Sequence, residues 1–101
     1  MASLPLEFHP EARLETFEAF DWYAARSMEA AHAFQQELAD AGRAIQSHPE
    51  LWASYLFGTR RYLLKRFPFV LVYRVTPARI EIVAVAHGRR NPGYWRRRVS
   101  S

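Results

Sequence analysis

The hydrophobic pattern changes period near the middle of this chain, and the change limits the folds open to it. Between Ala31 and Ile45, apolar residues recur at alternating steps of three and four, as on one face of an amphipathic helix. After Arg60 the pattern changes to β-branched and aromatic runs, which are typical of strands. Helices followed by strands predict an α+β fold, in which the helices pack on one face of a sheet.

The first segments predict an edge strand followed by a helix. Residues Ser3–Phe8 form a short, mainly apolar stretch, and Pro5 restricts it to a sheet edge because proline has no amide hydrogen. Pro10 suits the first turn of a helix, which we expect to run to about Arg26. The residues that recur at helical spacing along it are Leu14, Phe17, Asp21 and Ala24.

A second helix and three strands complete the predicted order. Ser27 is the expected N-cap of the second helix, which should end near His48, before Pro49. The two helices are joined closely enough to form an αα-hairpin. Three consecutive antiparallel strands, a meander, are predicted at Arg60–Arg66, Phe69–Val75 and Arg79–Ala86. A short basic helix is expected within Asn91–Arg98.

Length and composition exclude several classes of protein. The 101 residues, 50% of them apolar, predict one small domain spanning 1–101. The chain has no cysteine, which excludes disulfides, thiolate zinc sites and a cysteine nucleophile. The four histidines show no metal-ligand spacing, and neither a glycine-rich phosphate loop nor a dinucleotide fingerprint is present. We therefore expect neither a metal nor a cofactor.

The sequence also predicts a cytoplasmic protein. No apolar run approaches the roughly 20 residues that a helix needs to span a bilayer. The first residues, 1–7, lack both the basic region and the long apolar region of a secretory signal. We accordingly expect no membrane partner.

Charge is distributed unevenly between the two halves of the chain. Residues 1–50 carry three basic and nine acidic side chains, a balance of −6. Residues 51–101 carry eleven basic side chains and one acidic side chain, Glu81, a balance of +10, and the two balances sum to the net charge of +4. This asymmetry indicates a basic surface that meets nucleic acid or an acidic protein. The alternative is a solvated face balanced by the acidic helices.

The segment His87–Arg98 is the most informative part of the basic half. Its twelve residues include five arginines and two aromatic residues, Tyr94 and Trp95. Arginine binds phosphate bidentately and aromatic faces stack on bases, so the segment is a candidate surface for RNA or DNA. Alternatively, Tyr94 and Trp95 anchor the segment in the core while the arginines are solvated.

Four basic residues on the first predicted strand of the meander extend this surface. Side chains alternate along a strand, so Arg60 and Arg66 should share one face while Arg61 and Lys65 share the other. An enzyme built from such residues would cleave RNA without a metal, through attack by the 2′-hydroxyl, with cations stabilising the developing charge. The alternative is that the charges protect an edge strand from pairing with other chains.

The order of elements and two stretches of sequence resemble the RelE/ParE superfamily of bacterial type II toxins. One stretch is Arg61–Val75, with a Phe-Pro-Phe turn before an apolar strand; the other is Ile80–Arg98, with a His-x-x-Arg-x-Pro-x-Tyr-Trp-x-x-Arg ending. The resemblance covers essentially the whole chain. It implies a growth-inhibiting toxin, held inactive by a cognate antitoxin through which alone it would meet operator DNA.

The resemblance implies one of two targets. RelE-like members cut mRNA on the ribosome, whereas ParE-like members poison DNA gyrase and are not nucleases. Arg61 and Arg89 stand where RelE-like toxins have functional basic residues. However, Val70 occupies a position that is arginine in those nucleases, and Trp95 occupies one that is often tyrosine. Tryptophan cannot exchange a proton in that role, so these departures favour ParE-like action.

Three interpretations of the candidate residues remain open, and with them whether the chain is an enzyme. In a gyrase-binding toxin, the target-binding residues would be Arg61, Lys65, Arg89, Arg90, Tyr94, Trp95 and Arg98. In a ribosome-dependent mRNA endonuclease, the residues that grip and polarise a phosphate would be Arg61, Lys65, His87 and Arg89. The third interpretation is a non-toxic basic module that docks RNA or a protein.

Overall fold

Helices and strands follow one another in the predicted order. The computed structural model describes residues 3–99, so the outermost two residues at each end of the predicted domain lie outside the description. Within this range the elements are β1 (Leu6–Phe8), α1 (Pro10–Ala24), α2 (Met28–Ser47), β2 (Arg60–Leu63), β3 (Phe69–Val75) and β4 (Ile80–His87). The α+β class and the αα-hairpin are therefore confirmed.

The helix boundaries depend on capping side chains. The Nδ1 atom of His9 accepts a hydrogen bond from the amide of Glu11 at 3.1 Å, which caps the start of α1. The hydroxyl of Ser27 accepts one from the amide of Ala30 at 3.2 Å, as predicted for the N-cap of α2. Helix α2 ends just before Pro49, also as predicted.

The four strands described in residues 3–99 form one mixed sheet in the order β1-β4-β3-β2. Strand β1 lies at an edge and runs parallel to β4, while β2, β3 and β4 form the antiparallel meander. Strand β2 ends earlier than predicted, so Lys65 and Arg66 lie in the turn to β3 and the expected alternation does not reach them. The backbone amides of both residues donate to the carboxylate of Glu37 on α2, which fixes this turn.

A β-bulge interrupts the regular alternation along β4. The register with β3 slips by one residue between Ile82 and Ala84, and Val83 is the extra residue. Because the slip reverses the faces of all later side chains, Ile82 before the bulge and Val85 after it both lie under the helices. Regular alternation along the strand, which would place Ala84 on the same face as Ile82, therefore fails beyond Val83.

The sheet has a different apolar cluster on each face. The hairpin covers one face, and the predicted stripe of α2 is buried there as expected. The opposite face, named the outer face here, holds a smaller cluster that consists of Val72, Val83, Ala84, Ala86 and Trp95. The C-terminal segment Asn91–Val99 covers this outer face. It forms a 3₁₀ turn at Arg96–Arg98 rather than the expected helix, because it follows Gly93, whose φ of +84° is not helical.

The predicted stripe of α1 is not its buried face. Leu14 and Phe17 are 58% and 54% exposed, whereas Ala12, Glu15 and Ala19 face the sheet. The small alanine side chains let α1 approach the sheet closely, which larger residues would prevent. Neither α1 nor α2, the helices within residues 3–99, is long and apolar enough to cross a membrane.

Candidate functional site

A buried carboxylate, Glu15, lies where β1 has ended and β4 continues. Strand β1 pairs with β4 only as far as Phe8 opposite Ile82, so the next part of that β4 edge has no strand beside it. Helix α1 passes over this gap. The Oε1 atom of Glu15 accepts a hydrogen bond from the amide of Val85 at 2.9 Å. It thus supplies the acceptor that a neighbouring strand would otherwise provide for this amide.

The same carboxylate holds the C-terminal segment. Arg98 donates to both carboxylate oxygens of Glu15, each at 3.0 Å, and the Tyr94 hydroxyl donates to Oε2 at 2.6 Å. Arg98 also donates to the carbonyl of Val83 at 3.0 Å, and Arg90 lies 3.5 Å from Glu15. Glu15, Tyr94, Arg90 and Arg98 are named the Glu15 cluster here. A bidentate arginine–carboxylate pair of this kind gives both energy and a fixed orientation.

Burial and hydrogen bonding shift the pKa values of two members of the Glu15 cluster, Tyr94 and Arg98. Burial, and then the hydrogen bond to Glu15, raise the pKa of the Tyr94 hydroxyl well above its usual range. Burial alone would lower the pKa of the Arg98 guanidinium, but its hydrogen bond and attraction to Glu15 raise it. Tyr94 therefore stays neutral and Arg98 stays charged at neutral pH.

Trp95 is a packing residue in this structure. Its side chain is 1% exposed and belongs to the apolar cluster on the outer face. Its ring lies 6.0 Å from that of Tyr55 and 5.8 Å from that of Phe57, between centroids. Of the two alternatives that the sequence left open for Trp95, the anchoring role is the one observed. This burial does not fit the predicted role of Trp95 as a target-binding residue.

The residues predicted for a nuclease lie on different faces of the sheet. Arg61 projects from β2 towards the outer face, where its guanidinium lies 4.8 Å from the ring centroid of Tyr55. His87 lies on the hairpin side, with its ring 5.2 Å from that of Phe69 in the opposite cluster. Its Nδ1 atom accepts a hydrogen bond from the amide of Arg89 at 3.0 Å. His87 and Arg89 are thus neighbours, but the sheet separates His87 from Arg61.

The remaining predicted contact residues differ in exposure. The side chains of Lys65 and Arg89 are exposed to solvent. The guanidinium of Arg90 stacks over the Tyr94 ring at 3.6 Å, so these two residues lie together. Arg98, by contrast, is largely buried in its pair with Glu15. Among residues 3–99, no group of three or more His, Asp and Glu side chains could hold a metal ion.

Two grooves flank α1. One, of about 340 Å³, lies between α1 and α2 and has Arg13, Phe17 and Arg43 in its wall. The other, of about 380 Å³, lies between α1 and the ends of β3 and β4, and Trp22 and His87 line it. Both are lined mainly by apolar side chains, as small binding sites usually are.

Sequence reasoning missed two residues that shape this region, Glu15 and Phe57. Glu15 lies three residues after Ala12 and four before Ala19, so a face of small side chains that includes an acid was the available signal. Its partner Arg98 is 83 residues away, and nothing local in the sequence pairs the two. Phe57 precedes a glycine, which indicates a turn but not the conformation of the phenylalanine.

An αα-hairpin on a four-stranded mixed sheet, with a basic C-terminal segment over the outer face, is the arrangement expected of RelE/ParE superfamily toxins. The model of the family described as "ParE toxin of type II toxin-antitoxin system, parDE" matches residues 6–92, and this chain belongs to that family. The predicted superfamily membership is therefore confirmed.

Known relatives agree with this assignment. Over 88 residues the chain is 31% identical to "Toxin ParE2" of Mycobacterium tuberculosis, in both strain CDC 1551 / Oshkosh and strain H37Rv, covering 86% of this chain and 84% of the relative. A chain of the solved structure "Chromosomal ParDE TA system from P. aeruginosa" superposes with a TM-score of 0.74 at 22% identity, covering 84% of this chain and 96% of that chain. The fold is thus shared with a ParDE-type toxin–antitoxin system.

Proposed function

We propose that this ParE-family toxin arrests growth by binding DNA gyrase in the cytoplasm, and that a cognate antitoxin neutralises it. On this proposal the chain acts by protein binding and needs no cofactor. Contact with operator DNA occurs only through the antitoxin. An mRNA endonuclease would instead need its cationic groups gathered around one phosphate.

The observation that supports gyrase over mRNA is the separation of Arg61 from His87 across the sheet. Arg61 and His87 contact rings on different faces of the sheet, so in this structure they do not converge on one phosphate. The centre of the outer face is also apolar, because Val70 packs there against the cluster that contains Trp95. The position where RelE-like nucleases have an arginine is thus filled by a hydrocarbon side chain.

The proposed gyrase contacts are four exposed cations, Arg61, Lys65, Arg89 and Arg90, together with Tyr94, on whose ring Arg90 stacks. Arg98 and Trp95 act on this proposal as positioning residues. Arg98 fixes the segment to α1 through Glu15, and Trp95 fills the space beneath it. A surface of fixed cations favours an acidic partner and speeds its association.

The proposed antitoxin seat is the groove between α1 and α2. Phe17 in its wall and Leu14 beside it on α1 are more than half exposed, and together they form an apolar patch of the kind that marks interaction sites. Arg13 and Arg43 lie in the same groove, and they are two of the three basic residues in the first half of the chain. An amphipathic antitoxin segment with carboxylates would match this apolar groove with a basic wall.

The proposed function is tested by comparing gyrase activity with RNA integrity in the same cells. We expect purified toxin to inhibit DNA supercoiling by gyrase, and induced cells to show a DNA-damage response with intact messages. Arg89→Ala should keep the fold, because Arg89 is exposed, while reducing both the toxicity and the gyrase inhibition. New RNA 5′ ends inside translated codons, absent when translation is blocked, would overturn the gyrase proposal.

Arg26→Ala is the matched control for Arg89→Ala. Arg26 is also an exposed arginine, but it follows α1 and stacks on Trp22 at 3.6 Å, outside the proposed contacts. It should therefore remain as toxic as the parent. Equal loss of toxicity in Arg26→Ala and Arg89→Ala would mean that charge in general, and not this surface, is required.

A further inference from the structure

The turn between α2 and β2 projects apolar side chains from the outer face, and the proposed function assigns them no role. The turn between α2 and β2 exposes Leu56 and Phe57 to 38% and 49%. Thr59 holds this turn, because its hydroxyl donates to the carbonyl of Leu56 at 2.6 Å and its own carbonyl accepts from the Tyr55 amide at 2.8 Å. Leu56 and Phe57 are named the Phe57 knob here.

The backbone of Phe57 is in a conformation that its side chain disfavours. Its φ is +58°, and it is the one non-glycine residue with positive φ among residues 3–99. For a bulky residue such a φ is a true outlier, which costs free energy and persists only where the surroundings enforce it. Glycine or asparagine would suit the position better on stability grounds alone. The strain therefore indicates that the exposed ring itself has a use.

The ring of Phe57 is supported from below and on one side. It meets the buried Trp95 ring nearly edge to face, at 77°. Gly93 passes so close that a Cβ atom there would lie 3.1 Å from the Phe57 ring. A larger residue at Gly93 would push the ring away, so the knob and the C-terminal segment form one fitted surface.

Two arginines flank the knob without carboxylate partners. The guanidinium of Arg96 lies 4.7 Å from the Phe57 ring centroid, and that of Arg61 lies 4.8 Å from the ring of Tyr55. Within residues 3–99, neither arginine has an ion pair. Glu81, the one acid in residues 51–101, is buried and pairs with Arg74 at 2.9 Å. The knob is thus an apolar tip between cations whose charge is not neutralised.

We propose that the Phe57 knob inserts into an apolar recess on an acidic surface of the target protein, with Arg61 and Arg96 meeting carboxylates at its rim. This rests on the proposed function in one respect, namely that the target is a protein. An aromatic anchor beside arginines is the composition of an interface hot spot. One face of the Phe57 ring is already covered by Arg96, which makes stacking between nucleobases less suitable.

The test removes the knob in two ways and measures gyrase binding and growth arrest. Phe57→Gly deletes the ring while placing a residue that accepts positive φ, so the variant should stay folded in a thermal melt. Leu56→Gln keeps the side-chain size but removes the apolar tip. We expect each to weaken binding to purified gyrase by about tenfold and to require correspondingly more induction for growth arrest.

Leu51→Gln is the matched control, because Leu51 is 65% exposed and lies outside the knob. It should bind gyrase and arrest growth as the parent does. Knob variants that bind gyrase and arrest growth like the parent would overturn the proposal. RNA cleavage by the parent that is lost in the knob variants would also overturn it. If the parent does not bind gyrase but the knob variants still lose growth arrest while Leu51→Gln does not, the knob stands and the gyrase target falls.

Discussion

The two faces of the sheet are covered by different physical means. On the hairpin side, Phe34 meets the rings of Tyr23, Phe67 and Phe69 at centroid distances of 5.4–5.5 Å, and aliphatic residues of both helices complete the core. On the outer face, Trp95 is the fully buried ring, and it belongs to a short segment that polar contacts to Glu15 hold in place.

The difference determines how each face responds to change. Apolar burial is non-directional and spread over many atoms, so the hairpin side depends on volume and packing. The outer face depends on a few directional hydrogen bonds. The carboxylate of Glu15 accepts hydrogen bonds from three of the donors, namely the Val85 amide, the Tyr94 hydroxyl and the Arg98 guanidinium. The outer face is also where Leu56, Phe57, Arg61 and Arg96 are exposed. On the proposals above, this face meets the target, while the exposed side of the hairpin meets the antitoxin.

The largest expected effect is the difference in stability between removing a buried and an exposed phenylalanine of the helical hairpin. Phe34→Ala should lower the free energy of unfolding by about 3–5 kcal/mol, because Phe34 is fully buried and its removal leaves a cavity among three other rings. Phe17→Ala should change it by less than about 0.5 kcal/mol, because Phe17 is more than half exposed. Urea denaturation of both variants measures the difference.

A large cost for Phe17→Ala would contradict the observed orientation of α1. It would mean that Leu14 and Phe17 face the core, as the periodicity of α1 alone suggests. The pair therefore tests which face of the first helix packs on the sheet, with residue type held constant.

The next effect tests the polar cover of the outer face. Glu15→Ala should lower the free energy of unfolding by about 3 kcal/mol, because the largely buried Arg98 guanidinium loses its bidentate carboxylate and keeps only the exposed Glu11, 3.8 Å away. It also removes the acceptor of the Val85 amide and of the Tyr94 hydroxyl. Hydrogen exchange should accelerate first in the C-terminal segment, while α2 stays protected.

Glu18→Ala is the control for Glu15→Ala, because Glu18 lies less than one turn further along α1 and is exposed. Its effect should stay within about 0.5 kcal/mol. Exchange that accelerates equally in α2 and in the C-terminal segment would contradict a local role for Glu15 and make the two faces a single cooperative unit.

Much of the fold was predictable because it depends on local patterns. The stripe of α2, its Ser27 cap and the meander each follow from periodicity or from a residue with a fixed preference. Helix α1 was predicted in place but with the wrong face, because it carries apolar residues all round and its periodicity is ambiguous. No glycine or proline near Val83 signals the bulge in the sequence. The bulge nevertheless reverses the faces to which simple alternation assigns the later side chains of β4.

The candidate site was predictable in composition but not in arrangement. The basic C-terminal segment and its aromatic residues are evident in the sequence, and so is the resemblance that they carry. That Trp95 packs inside while Arg90 stacks outside on Tyr94 depends on contacts between distant parts of the chain. The pairing of Glu15 with Arg98 spans most of the sequence, and local rules do not reach that far.

The smallest expected effect concerns Tyr94, which belongs to the Glu15 cluster on the outer face. Tyr94→Phe removes one hydrogen bond, to Glu15 at 2.6 Å, and should lower the free energy of unfolding by about 1 kcal/mol at neutral pH. The same hydroxyl should make stability depend on alkaline pH, because burial and then the bond to Glu15 raise its pKa in the folded state.

The sign of that dependence follows from proton binding. Above an unfolded tyrosine pKa of about 10, the unfolded chain loses the proton that folded Tyr94 keeps, so the free energy of unfolding falls as pH rises. Burial also raises the pKa of Tyr73, to about 12, and that residue on the hairpin side contributes a similar fall. Urea midpoints from pH 9 to 11 should therefore decline less steeply in Tyr94→Phe than in the parent. Equal slopes would mean that Tyr94 is not held by Glu15 and that the outer face lacks this polar anchor.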